Sequence, residues 1–204
     1  MIKNIVFDLG GVLIDFVPEK YLEHIGCNEN DVPLFTQIVF YGKEWNEYNS
    51  SKYNIEQTKA NLIKNYPQYS DIIERIINNI DYRYILFEKK DTSNYLKKLK
   101  DKGYNIYILS DLSIDSYYYN KKFDFFNYID GGVYSFEIGS TKPNKNNYNT
   151  LIEKYNLIPK ETVFIDDRLE NIKAANKFGI HGIQFISLDI LKEKLKYIIR
   201  NGDF

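Results

Sequence analysis

Four short apolar runs, separated by helix-like patterns, constrain this chain more than any other feature. Residues 2–7, 105–109, 162–165 and 181–186 are rich in Ile, Val, Tyr and Phe. Continuous apolar runs of this length suit parallel strands that are covered on both faces. Helical periodicity stands between and after them. In 93–102, Tyr95, Leu96 and Leu99 share one face and Gly103 follows as a C-cap. Residues 144–155 and 169–178 read as two more helices, the latter followed by Gly179. The last, 187–199, carries a stripe of Leu188, Leu191, Leu195 and Ile198. Strands alternating with helices build βαβ units, and the expected class is α/β, a doubly wound, Rossmann-like parallel sheet.

Residues 17–91 break this rhythm. Segments 55–66 and 71–80 read as helices, the second with Ile72, Ile73, Ile76, Ile77 and Ile80 on one face, and 32–40 reads as a third. A helical block placed after the first strand reads as an inserted all-helical cap, which leaves 1–16 and 92–204 as the sheet domain. A chain of 204 residues is long enough for one core carrying such an insertion.

The bulk chemistry narrows the function. A formal net charge of −1 gives no field to attract nucleic acid or an anionic membrane. The N-terminal apolar run is short and stops at Asp8, so it reads as neither signal peptide nor membrane span. The single cysteine, Cys27, has no partner for an internal disulfide, which fits a reducing cytoplasm. The expectation is a cytoplasmic monomer or homodimer acting on a small metabolite.

Ligands of open α/β sheets sit beyond the carboxyl ends of the strands. The first run ends in Asp8, followed by Leu9-Gly10-Gly11. The second ends in Ser110-Asp111 and the third in Asp166-Asp167. Carboxylates converging on one edge repel unless a cation neutralises them, and hard oxygen donors at this density point to Mg²⁺. Lys142, before Pro143 and a helix start, adds positive charge. A cation, a lysine, a hydroxyl and free backbone amides together suit a phosphate. Each element has a plainer reading. Asp8 could be a turn aspartate, Asp166-Asp167 a helix N-cap, Ser110 a strand-end hydroxyl and Lys142 a solvated loop lysine. His24 and His181 show no partner spacing and read as structural. Trp45, with Tyr41 and Tyr48, reads first as cap packing and second as substrate contact.

Taken together, the motifs resemble the haloacid dehalogenase superfamily of hydrolases over essentially the whole chain. The resemblance rests on Phe7-Asp8-Leu9-Gly10-Gly11-Val12-Leu13, on Ile106-Tyr107-Ile108-Leu109-Ser110-Asp111, on Lys142-Pro143 with Tyr148, and on Val163-Phe164-Ile165-Asp166-Asp167 followed by Asn171, Ala174, Ala175 and Gly179. It implies a phosphatase in which Asp8 is the nucleophile and forms an aspartyl-phosphate. It implies Mg²⁺ held by Asp8, the Gly10 carbonyl and Asp167, with Asp166 binding directly or through water. Ser110, Asp111 and Lys142 would contact the substrate, and Gly10 and Gly11 would let backbone amides approach the phosphate. A small phosphorylated metabolite, a sugar phosphate or a nucleotide, is the expected substrate.

One position departs from the family pattern. Most of these phosphatases carry a second aspartate two residues after the nucleophile, where this chain has Gly10. Proton transfer from such a group is typically worth about 10²–10⁴-fold. The substrate could have a leaving group that needs little proton assistance, another acid such as Asp15 could substitute, or turnover could be lost and binding kept. Two alternatives to a phosphatase therefore stand at this level: a metal-independent haloacid dehalogenase-type hydrolase, and a phosphate-binding protein without turnover.

Overall fold

The structure is a computed structural model that describes residues 1–201. Five parallel strands form its centre: β1 (Asn4–Phe7), β4 (Asn105–Ser110), β5 (Gly131–Tyr134), β6 (Thr162–Asp166) and β7 (His181–Gln184), in the order β5-β4-β1-β6-β7. β1 lies in the middle, in register with β4 from Asn4↔Asn105 to Phe7↔Ile108 and with β6 from Asn4↔Thr162 to Phe7↔Ile165. Two short strands, β2 (Ile14–Phe16) and β3 (Leu86–Glu88), pair antiparallel beside this sheet.

The side-chain alternation explains why both faces are covered. Ile5 and Phe7 of β1, Ile106 and Ile108 of β4, and Val163 and Ile165 of β6 fall in one core. Val6, Leu109, Phe164 and Val133 point the other way, into a second core with Tyr148, Leu151 and Ile172. Period-two burial on both sides turns each strand into a continuous apolar run. The covering helices are α6 (Lys90–Asp101), α7 (Ile114–Asn120), α8 (Ser135–Ile138), α9 (Lys145–Lys154), α10 (Leu169–Lys177) and α11 (Leu188–Asn201).

Between β2 and β3 the chain forms α1 (Pro18–His24), α2 (Val32–Phe35), α3 (Lys43–Asn49), α4 (Ile55–Asn65) and α5 (Ser70–Asn78). α4 starts with a capping box, in which Asn54 and Gln57 satisfy each other's backbone amides. α5 buries Ile73, Ile76 and Ile77, and the Tyr21 hydroxyl donates to the Ile76 carbonyl at 2.6 Å. This block shares one apolar cluster with the sheet's first face.

Several elements differ from the sequence reading. The helix expected over 32–40 changes pitch: after α2, residues Thr36–Phe40 wind as a π turn closed by the Tyr41 amide on the Thr36 carbonyl at 3.2 Å. β3 falls inside the segment expected to be wholly helical, and β5 and α7 were not expected at all. β5 opens on two glycines, which carry no strand signal, and α7 is mostly Tyr, Asp, Ser and Asn, which carry little helical one. No helix among the described residues is long and apolar enough to cross a membrane.

Phe164 tests the second core. It is fully buried, with the Tyr148 ring edge-on at 6.0 Å. Phe164→Ala is expected to cost about 3–5 kcal/mol in urea denaturation. A loss below about 1 kcal/mol would mean that this face is not the packed core described.

Candidate active site

All five sheet strands run parallel, so their carboxyl ends share one edge, and Asp8, Ser110, Asp111, Asp166 and Asp167 gather there. Asp8 follows β1, with its amide donating to the Ile165 carbonyl of β6 at 2.9 Å. Its Oδ1 accepts from the Leu9 amide at 2.7 Å, and its Oδ2 lies 2.8 Å from the Lys142 ammonium. The same ammonium lies 2.7 Å from Asp166 Oδ2 and donates to the Leu109 carbonyl at 3.0 Å. Lys142 is 5% exposed and Asp166 is fully buried, so this is an interior ion cluster.

The protein has committed Asp166 to its own donors. Its Oδ1 accepts from the Arg168 amide at 2.8 Å, and Asn171 Nδ2 reaches both of its oxygens at 3.0 Å. Tyr148 in turn donates to the Asn171 carbonyl at 2.9 Å. Asp167 is the exposed member of the pair and lines the cleft. Carboxylate oxygens of Asp8, Asp166 and Asp167 lie within 4.8 Å of one another. Burial pushes the Asp8 carboxyl up to about 7, with Lys142 pulling against this and Asp166 adding to it. Burial also raises the Asp167 carboxyl, again with help from Asp166. Burial alone would lower the Lys142 ammonium; the carboxylates of Asp8, Asp166 and Asp111 outweigh it and hold the group above its ordinary value.

Hard oxygen donors this close, with one ammonium among them, fit a divalent cation. The close approach of the glycine turn is part of the fit. Gly11 has φ +71°, and a Cβ there would lie 2.5 Å from Asp167 Oδ2. Gly10 is different, because a Cβ would meet nothing within 4 Å.

Two of the expected substrate contacts are engaged by the protein itself. Gly11 was expected to let backbone amides approach a phosphate; its own amide donates to the Ile14 carbonyl at 2.8 Å. The turn folds back on itself there, and the glycine serves clearance of Asp167. Asp111, expected as a substrate contact, lines the cleft, and both of its oxygens accept from the Lys142 amide at 3.0 Å. It anchors the loop that carries the lysine. Ser110 is 2% exposed and lines the cleft floor. Sequence reasoning assigned no role to Asn171 or Arg168, although Asn171 stands five residues after Asp166 in the first turn of α10.

The cleft above this floor measures about 640 Å³. Phe16, Phe40, Tyr41, Trp45 and Tyr82 are among the residues that line it. α3 is tied down over it: Tyr48 donates to Asp115 of α7, and Ser135 Oγ donates to the Asn49 carbonyl at 2.6 Å. Asp15, expected as a substitute acid, stands apart on β2, where it lines the cleft and pairs with Lys89 at 2.7 Å.

The two glycines are expected to differ on substitution. Gly11→Ala should lower turnover by about tenfold or more, since it must shift Asp167 and hold a left-handed backbone. Gly10→Ala should leave turnover within about threefold. Steady-state kinetics on both variants checks this, and equal effects would contradict it.

The comparisons with known proteins agree with this geometry. The family of haloacid dehalogenase-like hydrolases matches residues 2–179. A D-ribitol-5-phosphate phosphatase from Bacteroides thetaiotaomicron is 25% identical over 90% of this chain and 92% of its own length. A predicted haloacid dehalogenase-like hydrolase from Porphyromonas gingivalis superposes with a TM-score of 0.71 at 22% identity, covering 98% of both chains. A haloacid dehalogenase family enzyme from Bacteroides thetaiotaomicron, solved with magnesium and inorganic phosphate, gives 0.69 at 21% identity over 92% of this chain and 96% of its own. With the family matched over most of its length and its parallel sheet shared with these structures, the chain belongs to the haloacid dehalogenase-like hydrolases.

Proposed function

We propose that this hydrolase is a Mg²⁺-dependent phosphomonoesterase that acts on a small phosphorylated metabolite, with Asp8 as its nucleophile and residues 17–91 as a cap over the site. The observation that carries the reading is the acidic floor itself. Lys142 and the exposed Arg168, which also pairs with Glu170, are outnumbered by Asp8, Asp111, Asp166 and Asp167, so the site calls for a cation and then for an anionic substrate. A metal-free haloacid dehalogenase has no use for that set. The phosphatase named among the relatives, and the neighbour solved with magnesium and phosphate, support the same choice.

Asp8 and Asp167 would hold the metal through carboxylates, and Gly10 through its carbonyl. Asp166 suits a supporting role because its oxygens already accept from Lys142, Asn171 and the Arg168 amide. When bound, Mg²⁺ screens repulsion between carboxylate and phosphate and stabilises charge in the transition state. Asp8 attacks phosphorus, the bond to the leaving oxygen breaks, and water hydrolyses the resulting aspartyl-phosphate. Lys142, whose ammonium already bonds Asp8, Asp166 and the Leu109 carbonyl, would hold the Asp8 carboxylate oriented and lend positive charge to the phosphoryl group, and Ser110 would supply a hydroxyl beside it. With no side chain at Gly10, Asp15 is the remaining carboxyl of the cleft wall that could protonate the leaving oxygen.

The test is turnover of p-nitrophenyl phosphate and a metabolite-phosphate panel, with Mg²⁺ or with chelator. Mg²⁺-dependent hydrolysis, lost in Asp8→Asn, is expected; activity surviving both chelation and Asp8→Asn would sink the reading. Asp15→Asn should slow alkyl phosphates by about tenfold or more while sparing p-nitrophenyl phosphate, whose leaving group needs little protonation. Equal rates on both would remove Asp15 from the mechanism. A pH effect follows from the raised Asp8 carboxyl. Below about 7 it holds a proton that a metal must displace, so Mg²⁺ affinity measured by calorimetry should rise from pH 5.5 to 7 and level off above. Affinity independent of pH across that range would count against Asp8 as a ligand.

A further inference from the structure

The floor of the cleft is short of positive charge. Four carboxylates, of Asp8, Asp111, Asp166 and Asp167, gather at one edge with a single buried ammonium, that of Lys142. A divalent cation there still leaves one negative charge uncompensated, and a phosphomonoester is itself an anion. Like charges brought together in a cleft repel unless a further cation answers them. Among the described residues that line the cleft, Arg168 is the one basic side chain outside the Lys142 cluster.

The Arg168 backbone is fixed, and its side chain is free to swing. Its amide donates to Asp166 Oδ1 at 2.8 Å, and its carbonyl accepts from the Asn171 amide at 3.1 Å. The residue therefore stands at the head of α10, directly after Asp167. The side chain is 60% exposed, and its guanidinium pairs at 2.5 Å with Glu170, whose side chain is 49% exposed. An exposed pair of this kind contributes little stability, so a better acceptor displaces it readily. The guanidinium charge also reaches the floor: burial raises the Asp111 and Asp167 carboxyls, and Arg168 pulls against it at both. A phosphoryl group offers two oxygens to the planar fork, the arrangement in which arginine binds anions most strongly.

Resting on the phosphatase reading above, we infer that Arg168 is a substrate-binding residue that exchanges Glu170 for the phosphoryl group when the substrate arrives. In the complex the four floor carboxylates are then matched by Lys142, Arg168 and the divalent cation. Glu170 is an internal competitor that holds the guanidinium beside the cleft. It loses little on release, because it is open to water and lies in the first turn of α10, where a carboxylate is favoured. Removing the competitor should strengthen anion binding, whereas removing the arginine should weaken it.

The test is calorimetric titration with inorganic phosphate, in the presence of Mg²⁺, of wild type, Arg168→Gln, Arg168→Lys, Glu170→Gln and the double variant Arg168→Gln/Glu170→Gln. Arg168→Gln should weaken phosphate binding by about tenfold or more, with Arg168→Lys between it and wild type. Glu170→Gln should tighten it by about twofold to fivefold. That gain should vanish in the double variant, which has no arginine to free. KM for p-nitrophenyl phosphate should follow the same order. Both side chains lie at the surface, so the thermal midpoints should stay near that of wild type. Phosphate affinity unchanged in Arg168→Gln, no gain in Glu170→Gln, or a gain that survives in the double variant overturns the exchange alone. Wild type that neither binds phosphate nor hydrolyses p-nitrophenyl phosphate with Mg²⁺ overturns the phosphatase reading and the exchange with it.

Discussion

The Lys142 ammonium sits between two carboxylates, 2.8 Å from Asp8 and 2.7 Å from Asp166, with the Leu109 carbonyl as its third acceptor. Charges withdrawn from water in this way are tolerated only when each finds its partners, and removing one partner strands the others. The surrounding structure serves that condition. Asp111 grips the lysine's own amide, Asn171 and the Arg168 amide fill the remaining positions of Asp166, and Tyr148 fixes Asn171. These residues come from the ends of β1, β4 and β6 and from α9 and α10. The cluster therefore joins the sheet edge to the helices behind it, and a parallel sheet is the architecture that brings those ends to one side.

The same arrangement orients the proposed nucleophile. Asp8 has one oxygen on the Leu9 amide and the other on Lys142, so its carboxylate is oriented before any substrate arrives. The glycine turn presses close to Asp167, whereas Gly10 leaves room where a side chain could have stood. On the proposed mechanism, attack falls to the floor and protonation of the leaving oxygen to the cleft wall, where Asp15 stands.

The strands were legible because burial on both faces gives each a continuous apolar run, and the acidic ends of three of them marked the edge where the site lies. β5 was not, since Gly131 and Gly132 signal nothing by type, and α7 was hidden by three consecutive tyrosines. Asp111 and Gly11 could be placed at the site by position, but not by partner. Whether an aspartate holds a ligand or a neighbouring amide is decided by a loop about thirty residues away.

The most direct measurement is acid quench during turnover of a phosphomonoester with Mg²⁺, followed by mass spectrometry of the peptide that contains Asp8. The account predicts a fraction of that peptide heavier by one phosphoryl group, absent in Asp8→Asn. Turnover with the phosphoryl group on another residue, or turnover that persists in Asp8→Asn, would contradict it.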